Sequence, residues 1–329
     1  MHASSRADEH ADTMVALSAE MQEVDRLVGR RLHSEVALIN QISGYIVHAG
    51  GKRMRPKLLL MFANALGDPR GQRHELAAVV EFIHTATLLH DDVVDESDLR
   101  RGKQTANALF GNAASVLVGD FLYSRAFQMM VSIERLKVLE VLAEATNIIA
   151  EGEVLQLLNV HDPDTTVERY LQVIRYKTAK LFEASARLGA MLSDAPTNIE
   201  EASAQYGRAM GTAFQLVDDI LDYEGDAELL GKNIGDDLRE GKPTLPILLA
   251  MELCQTTERD LLRSVVQSGG AEHLHDVVAI VRSSGALEAT REFARAEAKR
   301  ASDCLEVLPH NRWTKSLLEF SARSVDRSS

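Results

Sequence analysis

Glycine and proline are scarce in this chain, 20 and 7 among 329 residues, and no stretch rich in them reads as a linker between domains. One domain over 1–329, frayed over 1–10, is therefore the expectation. Cysteine is scarcer still. Cys254 and Cys304 lie far from any metal-ligand spacing and suit packed thiols in a reducing cytosol. No apolar run approaches the roughly 18 residues that span a bilayer; even Val116 to Val131 is broken by Asp120 and Arg125. Met1 to Glu23 has no apolar core of the signal-peptide kind. A cytoplasmic protein without a transmembrane segment is expected, and a greasy substrate stays compatible with that. Positive charge is also short: 36 Lys and Arg face 49 Asp and Glu, a formal net charge of -13. The net basic footprint that nucleic acid or an anionic membrane surface demands is missing.

Strand-like alternation is essentially absent, and helical periodicity takes its place. The pattern predicts helices over 12–48, 54–66, 73–96, 112–131, 134–158, 166–191, 197–225, 244–254, 257–268, 271–283, 285–305 and 311–325. Breaks fall on turn chemistry at Gly67-Asp68-Pro69, Asp162-Pro163-Asp164, Asp194-Ala195-Pro196 and Gly241-Lys242-Pro243. The longest loop is expected over 225–243. The fold class is all-α, with 45% hydrophobic residues to bury a large core.

Within that pattern stand two copies of one arrangement, Asp91-Asp92-Val93-Val94-Asp95 and Asp218-Asp219-Ile220-Leu221-Asp222. Spacing i, i+1, i+4 puts the first and third carboxylates one helical turn apart, with the second beside them, so each cluster is expected to aim three carboxylates at one point. Like charges that close raise one another's pKa and weaken a helix, which makes most sense if cations sit among them. Hard oxygens without His or Cys partners favour magnesium, which keeps waters and shares substrate phosphates. Solvated acidic patches are the bland alternative. Leu88-Leu89-His90 and Phe214-Gln215-Leu216-Val217, which precede the two clusters, are apolar company for a solvated face.

Cations follow and precede the first cluster. Arg100-Arg101 stands where its helix gives way to a loop, and guanidinium forks suit phosphate, although a surface ion-pair patch has the same composition. Lys52-Arg53-Met54-Arg55-Pro56 opens a helix, where orphan N–H groups with Lys52 and Arg55 make an anion site; a solvated basic turn is the alternative. His84 lies two turns before Asp91 on nearly the same stripe, as a ligand or as a satisfied core histidine. Lys177-Thr178 interrupts an amphipathic helix, Gln215 sits one turn before Asp218, and Lys232 and Lys242 follow glycines in the long loop, as in a closing lid.

From Gly51 to Pro246, through GKRMRP, EFIHTATLLHDDVVDESDLRRG, YKTAK, GTAFQLVDDILDY and GKNIGDDLREGKPTLP, the chain resembles the trans-type polyprenyl diphosphate synthases, and Glu81 to Arg101 resembles most their octaprenyl branch from bacterial quinone pathways. The resemblance implies a helical barrel of the isoprenoid synthase type, about ten core helices around a central cavity, and a homodimer. It implies three Mg²⁺ ions held mainly by Asp91, Asp95 and Asp218, with Asp92, Asp219 and Asp222 assisting directly or through waters. Lys52, Arg55, His84 and Arg101 match the isopentenyl diphosphate site. Arg100, Lys177, Thr178, Gln215 and Lys232 match the site of the allylic diphosphate, expected to be farnesyl. Thr178 and Gln215 would stabilise an allylic cation through their oxygen dipoles. An all-trans octaprenyl product for quinone side chains is expected, with geranylgeranyl, nonaprenyl or decaprenyl as other lengths, and peripheral membrane contact for product release stays compatible.

Three other readings are disfavoured by the residues. A terpene cyclase needs neither a second aspartate triplet nor the Lys52 to Arg55 segment, and a non-catalytic partner subunit should have lost carboxylates. A phosphohydrolase built on His90-Asp91 lacks further histidines at a usable spacing. Product length is expected to follow the helix 73–96, where Thr87, Ile83 and Val80 descend from Asp91 with Ala86 alongside. That helix is about 36 Å long at 1.5 Å per residue, comparable with an extended eight-unit prenyl chain. Phe127 and Met130 are candidates for the floor of such a tunnel.

Overall fold

The computed structural model describes residues 2–48, 50–224, 235–269 and 273–325, with the backbone alone for 2–10 and 48. Sixteen α-helices are described: α1 (His2–Arg31), α2 (Ala37–His48), α3 (Met54–Leu66), α4 (Arg73–Val94), α5 (Ala106–Phe110), α6 (Asn112–Ser132), α7 (Leu136–Asn159), α8 (Val167–Ile174), α9 (Lys180–Met191), α10 (Thr197–Glu224), α11 (Asp236–Arg239), α12 (Leu245–Leu253), α13 (Thr256–Ser268), α14 (Leu274–Ser283), α15 (Ala286–Cys304) and α16 (Arg312–Val325). The all-α expectation holds. Three local departures matter. The predicted helix 12–48 is two helices, and α1 begins at His2, inside the stretch expected to be frayed. A π-helical turn, Arg175–Ala179, interrupts the predicted 166–191 helix. A two-stranded hairpin, β1 (Leu99–Arg100) with β2 (Lys103–Gln104), follows α4.

The chain divides into two compact units: Met1–Thr146 with Leu181–Gly207 and Ser302–Phe320, and Asn147–Lys180 with Arg208–Ala301 and Ser321–Ser329. In the first unit α4 packs against α1, α3 and α6, which is why it buries residues on nearly every side, Leu76, Val79, Ile83 and Leu89 among them. Glu20 on α1 accepts from Arg73 Nε and Nη2, both at 2.9 Å, and from His74 on α4. Burial raises its pKa, but the His74 and Arg73 hydrogen bonds prevail and hold it at about 2. In the second unit, apolar residues of α8, α10, α12, α13, α14 and α15 form one cluster. Seven residues of α12, Leu245 to Met251, are buried without a polar face. A helix apolar all round belongs inside a core, and Pro246 in its first turn sacrifices no intrahelical bond. Among the described residues no helix is long and apolar enough to cross a membrane.

Candidate functional site

Each aspartate triplet ends a long helix. Asp91 and Asp92 lie in the last turn of α4 with Asp95 as its C-terminal cap, and Asp218, Asp219 and Asp222 lie in the last two turns of α10. A helix C-terminus already carries negative partial charge. Carboxylates gathered there gain only if cations join them. In both triplets the middle residue behaves differently from its neighbours. Asp92 and Asp219 are buried, whereas Asp91, Asp95, Asp218 and Asp222 are partly exposed. The middle carboxylate of each cluster thus faces inward while its neighbours reach solvent, and among the described residues no three His, Cys, Asp or Glu side chains stand together as a metal site. One residue along an α-helix is a rotation of about 100°, which turns the second carboxylate into the protein.

In the first unit Asp92 Oδ1 accepts from Arg100 Nε and Nη2, both at 2.7 Å. Burial, with Asp91 and Asp95 behind it, raises the Asp92 pKa against the pull of Arg100. Its Oδ2 is buried and has no hydrogen-bond partner among the described residues. Arg100 comes from the hairpin, whose two central residues, Arg101 and Gly102, have φ of 55° and 72°, the left-handed pair of a type I′ turn. That turn swings the Arg101 guanidinium onto Gly51, where a Cβ would stand 2.7 Å from Nη1.

The same guanidinium cluster takes in the start of α3. Arg53 is left-handed at φ 51° and leaves that N-terminus without a side-chain cap; its own guanidinium pairs with the buried Glu81 and donates to Val47 O at 3.2 Å. Arg55 Nη1 lies 3.2 Å from His84 Nε2, and its guanidinium carbon is 4.4 Å from the Phe182 ring centroid. Arginine only donates, so His84 Nε2 accepts and the imidazole is neutral. Burial first, then Arg55 and Arg101, push the His84 pKa well below its ordinary value. Burial, with Arg101, brings Arg55 down to about 10 against Glu81. Burial and Arg100 likewise lower Arg101. Guanidinium groups that lower one another's pKa would be relieved by an anion among them. Arg55, His84, Arg101 and Arg100 are thus brought together, and Lys52 stands exposed in the loop leading into α3.

In the second unit the π-helical turn carries Lys177 and Thr178; such turns recur at functional sites. Helix α7 comes so near that a Cβ on Gly152 would lie 2.6 Å from the Lys177 backbone nitrogen. The next residue, Glu153, accepts from Lys177 Nζ at 2.6 Å. Thr178 Oγ1 donates to Gln215 Oε1 at 3.0 Å, and Gln215 Nε2 donates to Asp219 Oδ1 at 2.8 Å. Tyr170 OH donates to Asp219 Oδ2 at 2.5 Å. Burial, and next Asp237, raise the Asp219 pKa well above the usual carboxylate range, against both hydrogen bonds.

Lys232 lies outside the described residues, as do 225–234 of the predicted loop. His90, the phosphohydrolase candidate, points to α6 instead, with Nε2 3.2 Å from Val116 O and 3.4 Å from Asp120. Val80, Ile83 and Ala86 are fully buried and Thr87 is partly exposed. Of the two floor candidates Met130 is enclosed, whereas Phe127 stacks on Tyr123 and stays 38% exposed. Sequence reasoning passed over Glu81, Glu153, Tyr170 and Asp237. Asp236-Asp237, within the loop expected over 225–243, was a visible signal; the others are single residues on apolar helices and announce nothing.

Within each unit taken by itself the donors suit a hard divalent cation: carboxylate oxygens at the negative end of a helix, Asp91 and Asp95 on α4 and Asp218 and Asp222 on α10. The family model described as polyprenyl synthetase matches residues 36–283. The octaprenyl diphosphate synthase of Escherichia coli (strain K12) is 53% identical over 309 residues, 94% of this chain and 96% of that one. The all-trans-nonaprenyl-diphosphate synthase (geranyl-diphosphate specific) of Rhodobacter capsulatus is 45% identical over 96% of this chain and 97% of its own. Among solved structures, the polyprenyl synthase of Caulobacter crescentus CB15, complexed with calcium and isoprenyl diphosphate, superposes with a TM-score of 0.93 at 43% identity, covering 98% of each chain. A family model over most of the chain and relatives near half identity along nearly all of it leave one conclusion: this chain belongs to the polyprenyl synthetase family.

Proposed function

We propose that the enzyme extends farnesyl diphosphate with successive isopentenyl diphosphates to all-trans octaprenyl diphosphate for a quinone side chain. The observation that carries this reading is the 53% identity to an octaprenyl diphosphate synthase across 94% of the chain. Asp91, Asp95 and Asp218 are the proposed main ligands of Mg²⁺, three ions in number, with Asp222 assisting. Asp92 is pinned by Arg100, and Asp219 by Tyr170 and Gln215, so those two are proposed to orient their neighbours. Magnesium, when bound, supplies Lewis-acid charge to the diphosphate that leaves.

Every other step belongs to side chains. Arg100, Lys177 and Lys232 are proposed to neutralise charge growing on the allylic diphosphate as its C–O bond ionises. Lys52, Arg55, His84 and Arg101 would hold isopentenyl diphosphate so that its double bond meets the carbocation. The proton then lost passes to the departing diphosphate. Cytoplasmic location, a homodimer and peripheral membrane contact complete the proposal. Leu117, Phe127 and Val131, exposed on one face of α6, support the homodimer.

The test is diphosphate release by the purified chain given Mg²⁺, isopentenyl diphosphate and farnesyl diphosphate. Release that requires all three is expected. No release from the chain alone, with release on adding a second type of subunit, would make it a non-catalytic partner.

A further inference from the structure

Tyr170 is buried, 5% exposed, within the apolar cluster of the second unit, and no step above uses it. Its hydroxyl nevertheless begins a chain of hydrogen bonds: to Asp219 Oδ2 at 2.5 Å, from Gln215 Nε2 to Asp219 Oδ1 at 2.8 Å, and from Thr178 Oγ1 to Gln215 Oε1 at 3.0 Å. The direction of each link follows from chemistry. The Gln215 amide turns its NH₂ to the carboxyl oxygen, which leaves Oε1 toward the π-helical turn. The Thr178 hydroxyl has one proton and gives it to Oε1, so its lone pairs face elsewhere. Without the tyrosine, Asp219 keeps one anchor instead of two, and the amide that sets the Thr178 dipole loses its fixed support.

We propose that Tyr170 is a positioning residue that, through Asp219, locks the Gln215 amide and Thr178 hydroxyl with their oxygen dipoles presented to the allylic cation. This rests on the proposed function, and in particular on a cation forming beside Thr178. The Thr178–Gln215–Asp219 links run head to tail and polarise one another; Tyr170 donates into the same carboxyl from the other side, so its part is to fix the geometry of that carboxyl. Dipoles fixed before the charge appears need no reorganisation when it does. A purely structural tyrosine would satisfy a buried carboxyl and no more.

The experiment uses the full chain as wild type, Tyr170→Phe, Thr178→Val, the double variant and Thr178→Ser. Calorimetry with Mg²⁺ and inorganic diphosphate compares an allylic ammonium, a mimic of the cation, with its neutral isostere. The expected result is binding of the ammonium weakened about tenfold by Tyr170→Phe, with the neutral isostere changed less than about twofold. In turnover, Tyr170→Phe lowers kcat about 10- to 100-fold with both KM values within about twofold, adds nothing to Thr178→Val, and Thr178→Ser keeps most activity. Equal weakening of both ligands, or additive losses in the double variant, overturns the positioning role. Should Tyr170→Phe not fold, Asp219→Asn, which keeps the volume but leaves one acceptor oxygen where Tyr170 and Gln215 need two, is put to the same two ligands: selective loss of the ammonium supports the role, and equal loss of both overturns it. A wild type without turnover counts against the proposed function; an active wild type whose variants lose both ligands equally counts only against the positioning role.

Discussion

Arg55 Nη1 stands 3.2 Å from His84 Nε2, a charged donor against a neutral ring, with Phe182 beneath the guanidinium. The role proposed for the pair is to bind an anion without titrating. Loss of a hydrogen bond to a charged group costs about 1.5–3 kcal/mol, so Arg55→Ala or His84→Ala should raise KM for isopentenyl diphosphate about 10- to 100-fold and spare kcat. Because burial and Arg55 hold His84 neutral below its ordinary pKa of 6.5, that KM should show no histidine inflection from pH 6.5 to 8. The sign for stability is the opposite of a salt-bridged histidine. Below about pH 6.5 the unfolded chain takes a proton that the folded one refuses, so His84 lowers stability as pH falls, by up to about 1.4 kcal/mol per unit. Chemical denaturation at several pH values, compared with His84→Ala, reads this. A steeper loss in the variant would contradict it.

The aspartate roles are separable from folding. Asp91→Ala or Asp218→Ala should lower kcat at least about 10³-fold, roughly 4 kcal/mol of transition-state stabilisation, with an unchanged circular dichroism spectrum. Removing the paired charge from a helix C-terminus should if anything stabilise the metal-free protein. Near-native turnover in either variant, or in EDTA, would sink the metal assignment.

Gly152 should be intolerant for a reason of space. Glycine to alanine inside a helix ordinarily gains up to about 1 kcal/mol, and Gly29→Ala on α1, with nothing within 4 Å of the added Cβ, should follow that rule. At Gly152 the new carbon meets Lys177 N at 2.6 Å and Tyr176 Cβ at 2.8 Å. Overpacking of that kind costs about 1–3 kcal/mol, and it moves the turn that carries Lys177. Melting and kcat should therefore fall together in Gly152→Ala and neither in Gly29→Ala. Equal behaviour of the two variants would remove the π-helical turn from the account.

Product length offers a graded test on α4. Thr87 is one turn below Asp91 and partly exposed, so a ring there has somewhere to go; Ala86 is fully buried, and Ala86→Phe should chiefly destabilise. One turn is about 6 Å. Thr87→Phe should stop elongation near three or four isoprene units while leaving the first condensation fast. Chromatography of the products from farnesyl primer decides, and an unchanged length distribution would move the tunnel away from this helix.

Long helices and both aspartate triplets were legible because they rest on period and spacing alone. The gap between α1 and α2 was not, since no glycine or proline makes it. Ser34 and Asn40 do: Ser34 N donates to Asn40 Oδ1 at 2.9 Å and Asn40 Nδ2 to Ser34 O at 2.7 Å, side-chain bonds that compete with helix. The hairpin escaped because two-residue strands have no alternation to show, although Arg101-Gly102 was its turn. Burial of Asp92 and Asp219 escaped because i+1 spacing fixes a rotation but not which side is solvent. Tyr170 escaped for want of a neighbour; its partner is 49 positions away.

The most direct test of the account is mass spectrometry of the product made by the purified chain from farnesyl and isopentenyl diphosphates, with Mg²⁺ and again with EDTA. The account predicts a distribution centred on octaprenyl diphosphate with the ion and no elongation without it. A product that stops at geranylgeranyl diphosphate, or elongation that survives EDTA, would contradict it.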